Sequence, residues 1–175
     1  MAIDRTFEGA LNKGIRSLEM GFSGLENKAF TVLSDAALEN KIKQATDLRL
    51  FAISELFRRG RTVDDLWNMT AIDPWFLNAI HGIVAFEEAM KGKALAELSD
   101  EVWQQAKWLN IGNQRLADLL NVPPEEISKR VRAAGLSPSY HWWIHVPANS
   151  KRKPHIITRH GLALMKRRSA ISRRY

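Results

Sequence analysis

The sequence predicts an all-α fold, a compact bundle of short helices in a single domain. Apolar residues recur at helical spacing in one segment after another. Ser, Thr, Asn or Asp opens most of these segments and Gly or Pro closes them. No stretch before residue 140 alternates apolar and polar side chains as a half-buried strand would.

Thr6 stands as the cap of a first helix, with Phe7, Ala10, Leu11, Ile15 and Leu18 on one face, and Gly21 and Gly24 break it. Residues 25–34 read as a loose connection. A short amphipathic helix is predicted from Asp35 to Gln44, and a clearer one opens at Asp47 with Leu48, Phe51, Ala52, Leu56 and Phe57. Arg58 and Arg59 suit the negative end of that helix dipole, and Gly60 is a natural C-terminal stop. Thr62 caps a short helix through Asp64, Asp65, Leu66 and Trp67.

Asp73-Pro74 is a strong start signal, a capping residue followed by proline at the first helical position. The helix after it carries Trp75, Phe76, Leu77, Ile80, Ile83, Val84 and Phe86, and runs to about Met90. Apolar residues on several of its faces predict a buried central helix. Ser99 and Asn113 are expected to cap the next two helices, with Val102, Trp103, Ala106, Leu109 and then Leu116, Ala117, Leu119, Leu120. Pro123-Pro124 leads into a last helix from Glu125 to about Ala134, stopped by Gly135 and Pro138. The expected core is Phe51, Leu56, Trp75, Phe76, Ile80, Val84, Trp103 and Leu119, with Trp67 and Trp108 as further core or interface filling.

The 175 residues suffice for one domain, and 45% hydrophobic with 26% charged residues is ordinary for a globular protein. Cysteine is absent, which removes disulfides and the commonest zinc sites. No apolar run reaches membrane-spanning length, and Met1 to Arg5 contains no signal core, so the expected location is cytoplasmic with no membrane partner. The net charge of +7 comes from one end. Residues 141–175 hold nine Lys or Arg and no acid, which leaves 17 basic and 19 acidic side chains in residues 1–140. Basicity is therefore an argument about the tail alone, and it argues against nucleic acid as the partner of the body.

No catalytic constellation emerges. Of the acidic pairs Asp64-Asp65, Glu87-Glu88, Asp100-Glu101 and Glu125-Glu126, three sit in the first turn of a predicted helix, where the dipole favours them. Adjacent residues do not converge on one point of a helix face. There is no glycine loop after a strand, hence no nucleotide fingerprint. His81 reads as a core or boundary histidine. His141 and His145, with His155 and His160 beyond, mimic a metal set, and a metal hydrolase built on them is the lowest-ranked reading. Expected catalytic, cofactor and metal residues are accordingly none. The competing binding reading is a helix-turn-helix DNA-binding unit from Asn113 to Gly135, weakened because Glu125 and Glu126 would meet the phosphates.

Several strings together carry a resemblance. Met1-Ala2-Ile3-Asp4-Arg5-Thr6-Phe7-Glu8 with Ile15-Arg16-Ser17-Leu18-Glu19 resembles the junction after the first ATP-grasp domain of carbamoyl-phosphate synthase large chains. Arg49 to Ile53, Arg58-Arg59-Gly60, Ile72 to Leu77, Ala106-Lys107 through Leu119, and Ala134-Gly135-Leu136 to Pro138-Ser139-Tyr140 resemble that enzyme's oligomerisation domain, in the same order. Departures are Asp4, where the family usually has glycine, and the helix-interior glycines Gly14 and Gly82. The resemblance implies residues 1–20 as junction, 21–140 as the helical oligomerisation domain, and an assembly role between two ATP-grasp halves. Those halves make carbamoyl phosphate from bicarbonate, ammonia and ATP with Mg or Mn, in arginine and pyrimidine biosynthesis. The implied partners are the ATP-grasp domains of the same chain, a glutaminase small chain and further copies. None of the ATP, metal or bicarbonate residues falls in this stretch, so the chain alone is expected to be a non-catalytic fragment that holds no cofactor.

After Tyr140 the resemblance ends. Reading the third base of each codon with the first two of the next, His141-Trp142-Trp143-Ile144 forces Leu-Val-Asp. Allowed codons onward to His160 give LVDTCAGEFEAKTPYYYSTW, which is similar to the family's own continuation. The expectation is that residues 141–175 are an out-of-frame, disordered basic tail on a truncated chain, to be left out of the fold.

Overall fold

The computed structural model describes residues 2–136, and among them there are nine α-helices, a single 3-10 turn and no strand. The helices are α1 (Phe7–Ser17), α2 (Lys28–Thr31), α3 (Asp35–Lys43), α4 (Arg49–Arg58), α5 (Val63–Thr70), α6 (Pro74–Met90), α7 (Asp100–Trp108), α8 (Asn113–Leu120) and α9 (Pro124–Ala133). The tail at 141–175, with its histidines and its expected disorder, lies outside the described residues.

Three of the predicted caps act as expected. The Thr6 hydroxyl accepts from the Gly9 amide, and Thr62 forms a full capping box with Asp65. Asp73 accepts from the Trp75 amide, with Pro74 at the first position of α6. Gly60, at φ +87°, closes α4 in a paired return: its amide donates to Phe57 and that of Arg61 to Leu56.

Other expectations need correction. Residues 25–34 are not simply loose, because Asn27 caps the single turn α2. Asp47 does not open α4; a turn from Thr46 to Arg49 intervenes and the helix starts without a side-chain cap. Ser99 does stand at the cap position of α7, but its hydroxyl donates to Glu101 at 2.8 Å instead of accepting from a backbone amide. Asn113 is the first residue of α8, not its cap, and the cap position is Gly112. Its side chain instead accepts from Lys107 at 2.6 Å and donates to Ser128 at 3.1 Å, tying α7, α8 and α9 together.

The long helix α6 serves two apolar clusters. Leu77, Ile80, Ile83 and Val84 pack with Leu38, Ile42, Phe51, Leu56 and Leu66 from α3, α4 and α5. Phe86 and Met90 pack with Trp103, Ala106, Leu116, Leu120, Ile127 and Val131 from α7, α8 and α9. A buried Leu, Ile, Val, Phe or Met contributes about 1.5–3 kcal/mol, so a helix with six such positions fixes both halves on one axis. Helix α1 joins them a second time. Its Ile15 is buried in the first cluster, while Asn12 donates to the Leu109 carbonyl at 2.9 Å in the turn before α8.

The core prediction holds for Phe51, Leu56, Ile80, Val84, Trp103 and Leu119, all buried. It fails for Trp75 and Phe76, which are 60% and 43% exposed. They occupy the first turn of α6, and what meets them is Phe7 at the start of α1. Trp67 and Trp108 are also exposed. Trp67 follows the buried Leu66 by one residue and Trp108 the buried Ala106 by two, and each residue turns a side chain about 100° round a helix.

Candidate functional site

Sequence reasoning named no catalytic residue, and the acidic pairs separate into unlike environments. Asp65 completes a cap, and the hydrogen bonds from Thr62 hold its carboxyl below the usual range. Asp100 accepts from Arg130 at 2.6 Å. Glu125 and Glu126 are exposed in the first turn of α9. Of these paired acids only Glu87 is buried, and it anchors an extended polar cluster.

Glu87 faces Arg115 across the junction of the two clusters. Arg115 donates through Nε to Oε1 at 3.0 Å and through Nη2 to Oε2 at 2.6 Å, a two-pronged pairing. Its Nη1 donates to Glu26 at 2.5 Å. Arg58 reaches the same Glu87 carboxylate at 3.2 Å and the Leu25 carbonyl at 3.1 Å. Burial disfavours the Arg115 charge, but its hydrogen bonds and the charges of Glu87 and Glu26 more than reverse this and raise its pKa. Burial likewise works against the Glu26 carboxylate, and the Arg115 hydrogen bond with the charges of Arg115, Arg58 and Lys91 holds it below its ordinary range.

The loop from Gly21 to Asn27 lies directly on this cluster. A Cβ on Gly24 would stand 3.0 Å from Arg115 Cδ and Nε and from Glu87 Oε1. The glycine read from the sequence as a helix breaker is thus also the place where backbone meets the ion pair. Beside it opens a cleft of about 670 Å³ lined by Ser23, Glu26, Lys28, Lys91, Arg115 and Asp118 among others. Within its walls Glu26 is paired with Arg115, and Asp118 accepts from the neutral Ser23 hydroxyl as well as from Gln114 outside the cleft.

Sequence reasoning missed a second arginine device. All five N–H groups of Arg59 are used: on Glu55, Asp35 and the carbonyls of Leu33, Phe30 and Thr31. The last two carbonyls end α2, so Arg59 is its C-terminal cap. Arg49 does the same for α3 and α5 through the carbonyls of Ile42 and Thr70. A dipole argument places cations near their own helix end, but these reach the ends of other helices.

The surface has its own cluster. The Phe7, Trp75 and Phe76 rings meet with centroids 4.9–5.6 Å apart, a tilted and edge-on arrangement that leaves two rings facing outward. His81 is exposed on α6 and packs its ring 5.0 Å from that of Phe57. Among the described residues no His, Asp, Glu group has the makings of a metal site, and no helix is long and apolar enough to cross a membrane.

Nothing among the described residues supports the helix-turn-helix reading. Leu116, Ala117 and Leu120 of α8 and Ile127 and Val131 of α9 belong to the second apolar cluster, so the pair is a packing unit. Arg130, one of the cations that would offset Glu125 and Glu126, is engaged with Asp100 and lies over the Trp103 ring. The same helices fall inside a family match that describes a different function.

That match is to the family described as "Carbamoyl-phosphate synthetase large chain, oligomerisation domain", over residues 1–135. The "Carbamoyl phosphate synthase large chain, N-terminal section" of Aquifex aeolicus (strain VF5) is 38% identical over 140 residues, 80% of this chain and 25% of that protein. The large chain of Clostridium perfringens (strain SM101 / Type A) is 36% identical over 140 residues, 80% of this chain and 13% of that one. That of Vibrio parahaemolyticus serotype O3:K6 is 34% identical over 142 residues, again 13% of its length. The chain thus spans a quarter or less of these relatives. With the family match running from end to end of the helical body, the chain belongs to the oligomerisation-domain family of carbamoyl-phosphate synthetase large chains.

Proposed function

We propose that this chain works as an assembly module, that it supplies no catalytic group itself, and that its partner in self-association is a second copy. The family match over residues 1–135 carries this reading. The resemblance sets its whole relatives in the ATP-dependent synthesis of carbamoyl phosphate and implies that nucleotide and divalent metal are held in other parts of the protein. The exposed rings of Trp75 and Phe76, backed by Phe7, support the reading as the contact surface, because large aromatic side chains are favoured at interfaces.

Sedimentation of the full chain over a concentration series tests it. The expected result is reversible self-association that Trp75→Ser with Phe76→Ser weakens while the melting temperature holds. A chain that stays monomeric at every concentration, or whose association ignores both substitutions, overturns it.

We also propose that residues 141–175 are read from a shifted frame, supported by the family-like LVDTC string that the alternative frame encodes. Nucleotide sequence across codon 141 tests this. A frame that continues as relatives do upholds it, and an early stop in that frame rejects it.

A further inference from the structure

The N-terminal arm, residues 4–26, meets the two apolar clusters in opposite ways. Toward the first it is apolar. Ile15 and Leu25 are members of that cluster, and Phe7, Leu11 and Phe22 pack against it. The Phe22 ring lies 4.4 Å from that of Phe51, and the Leu25 carbonyl accepts from Arg58 of α4 at 3.1 Å.

Toward α7, α8 and α9 the arm is polar. Among the described residues it adds no side chain to the second cluster or its margin, and no backbone–backbone hydrogen bond joins it to that half. What joins them is a row of side-chain hydrogen bonds. Asn12 donates to the Leu109 carbonyl at 2.9 Å, and Arg16 donates to Asn110 at 2.5 and 2.8 Å. Asn110 in turn donates to Asp4 Oδ2 at 2.7 Å. Farther along the arm, the Ser23 hydroxyl donates to Asp118 at 2.9 Å, and Glu26 accepts from Arg115 at 2.5 Å.

The two seams differ in strength. Burying an apolar face is a large gain, whereas a hydrogen bond within reach of water gains little over the bonds to water that it replaces. The Ser23–Asp118 contact is exposed, and Glu26 keeps 26% of its side chain in solvent. Besides α6, which serves both clusters, their margins share Leu109 alone among the described residues. The cleft of about 670 Å³ lies on the weak seam, lined by Gly21, Ser23 and Glu26 of the arm and by Arg115, Asp118 and Asn121 of α8 and its end.

We propose that the arm is a one-sided clasp: it stays fixed on the first cluster and releases α7, α8 and α9, which open as a unit at the cleft while the first half stays packed. Local opening follows the weakest seam of a fold, and here that seam is made of side-chain hydrogen bonds.

The chain has no cysteine, so a single introduced thiol reports opening without interference. Ala106→Cys in α7 and Ala52→Cys in α4, both at buried positions, are each labelled with a thiol reagent in the full chain under native conditions. Arg16→Met, Ser23→Ala and Glu26→Gln together remove the clasp and leave Phe7, Leu11, Ile15, Phe22 and Leu25 in place. The expected result is that labelling at Ala106→Cys quickens at least about tenfold relative to labelling at Ala52→Cys, the effect of losing a few net hydrogen bonds. Equal acceleration at both sites, acceleration at Ala52→Cys alone, or none at either overturns the proposal. If Ala106→Cys does not fold, Ala117→Cys at a buried position of α8 reads the same half. If the triple variant does not fold, Ser23→Ala with Glu26→Gln takes its place on the same terms.

Discussion

Arg115 and Glu87 form a two-pronged ion pair at 3.0 and 2.6 Å, with 6% and 1% of their side chains exposed, where the two apolar clusters meet. Buried pairs of this kind gain little net energy over an apolar pair, because both ions lose water. Breaking one is costly, since a charge is stranded.

Arg115→Met should therefore destabilise the chain by about 3–5 kcal/mol. Arg58, still 3.2 Å from Glu87, should keep the loss toward the lower end. Adding Glu87→Met should restore part of the loss. Urea unfolding of both single variants and the double variant checks this as a cycle; strictly additive losses would contradict the pairing.

Two glycines should respond in opposite senses. Gly24→Ala pushes a methyl to 3.0 Å from Arg115 and Glu87 and should cost about 1–3 kcal/mol. Gly82 lies inside α6 with nothing within 4 Å of an added Cβ. Gly82→Ala should stabilise by about 1 kcal/mol, the helix-propensity difference. Thermal melts of the two variants against the parent settle both signs.

Acid should weaken the Glu26 contact. Its folded pKa lies below the ordinary value of 4.5, so its contribution is complete above that value and is lost as pH falls through the lowered one. Glu26→Gln should flatten the acid limb of a stability–pH curve, most clearly below pH 4.5. An unchanged limb would mean that other carboxylates set it.

Arg59→Lys keeps the charge but cannot supply five directed N–H groups. The carbonyls of Phe30, Thr31 and Leu33 then lose their donor. Hydrogen exchange should quicken in α2 and the turn after it, while the amides of α6 stay protected.

Much of the architecture was legible in the chain because it rests on local rules. Thr6, Thr62 and Asp73-Pro74 cap helices through groups two or three residues away, a distance at which sequence fixes geometry. The periodic apolar faces of α4 and α6 are equally local. Asn113 misleads for the same reason reversed: it is a good cap by type, but Lys107 and Ser128 take its side chain, while Ser99 keeps its cap position and loses only its hydroxyl, to Glu101. The family, too, was legible, since it lies in ordered strings rather than in any site.

What tertiary structure alone decided is which partners meet across long separations. Trp75 and Phe76 look like core by composition, but only packing reveals that the first turn of α6 extends past its neighbours. Glu87 and Arg115 are 28 residues apart, and Arg16 and Asn110 are 94 apart. No periodicity links such positions. Burial of apolar faces sets the helices first in energy, and the charged groups then take whichever partners that packing brings within hydrogen-bond reach.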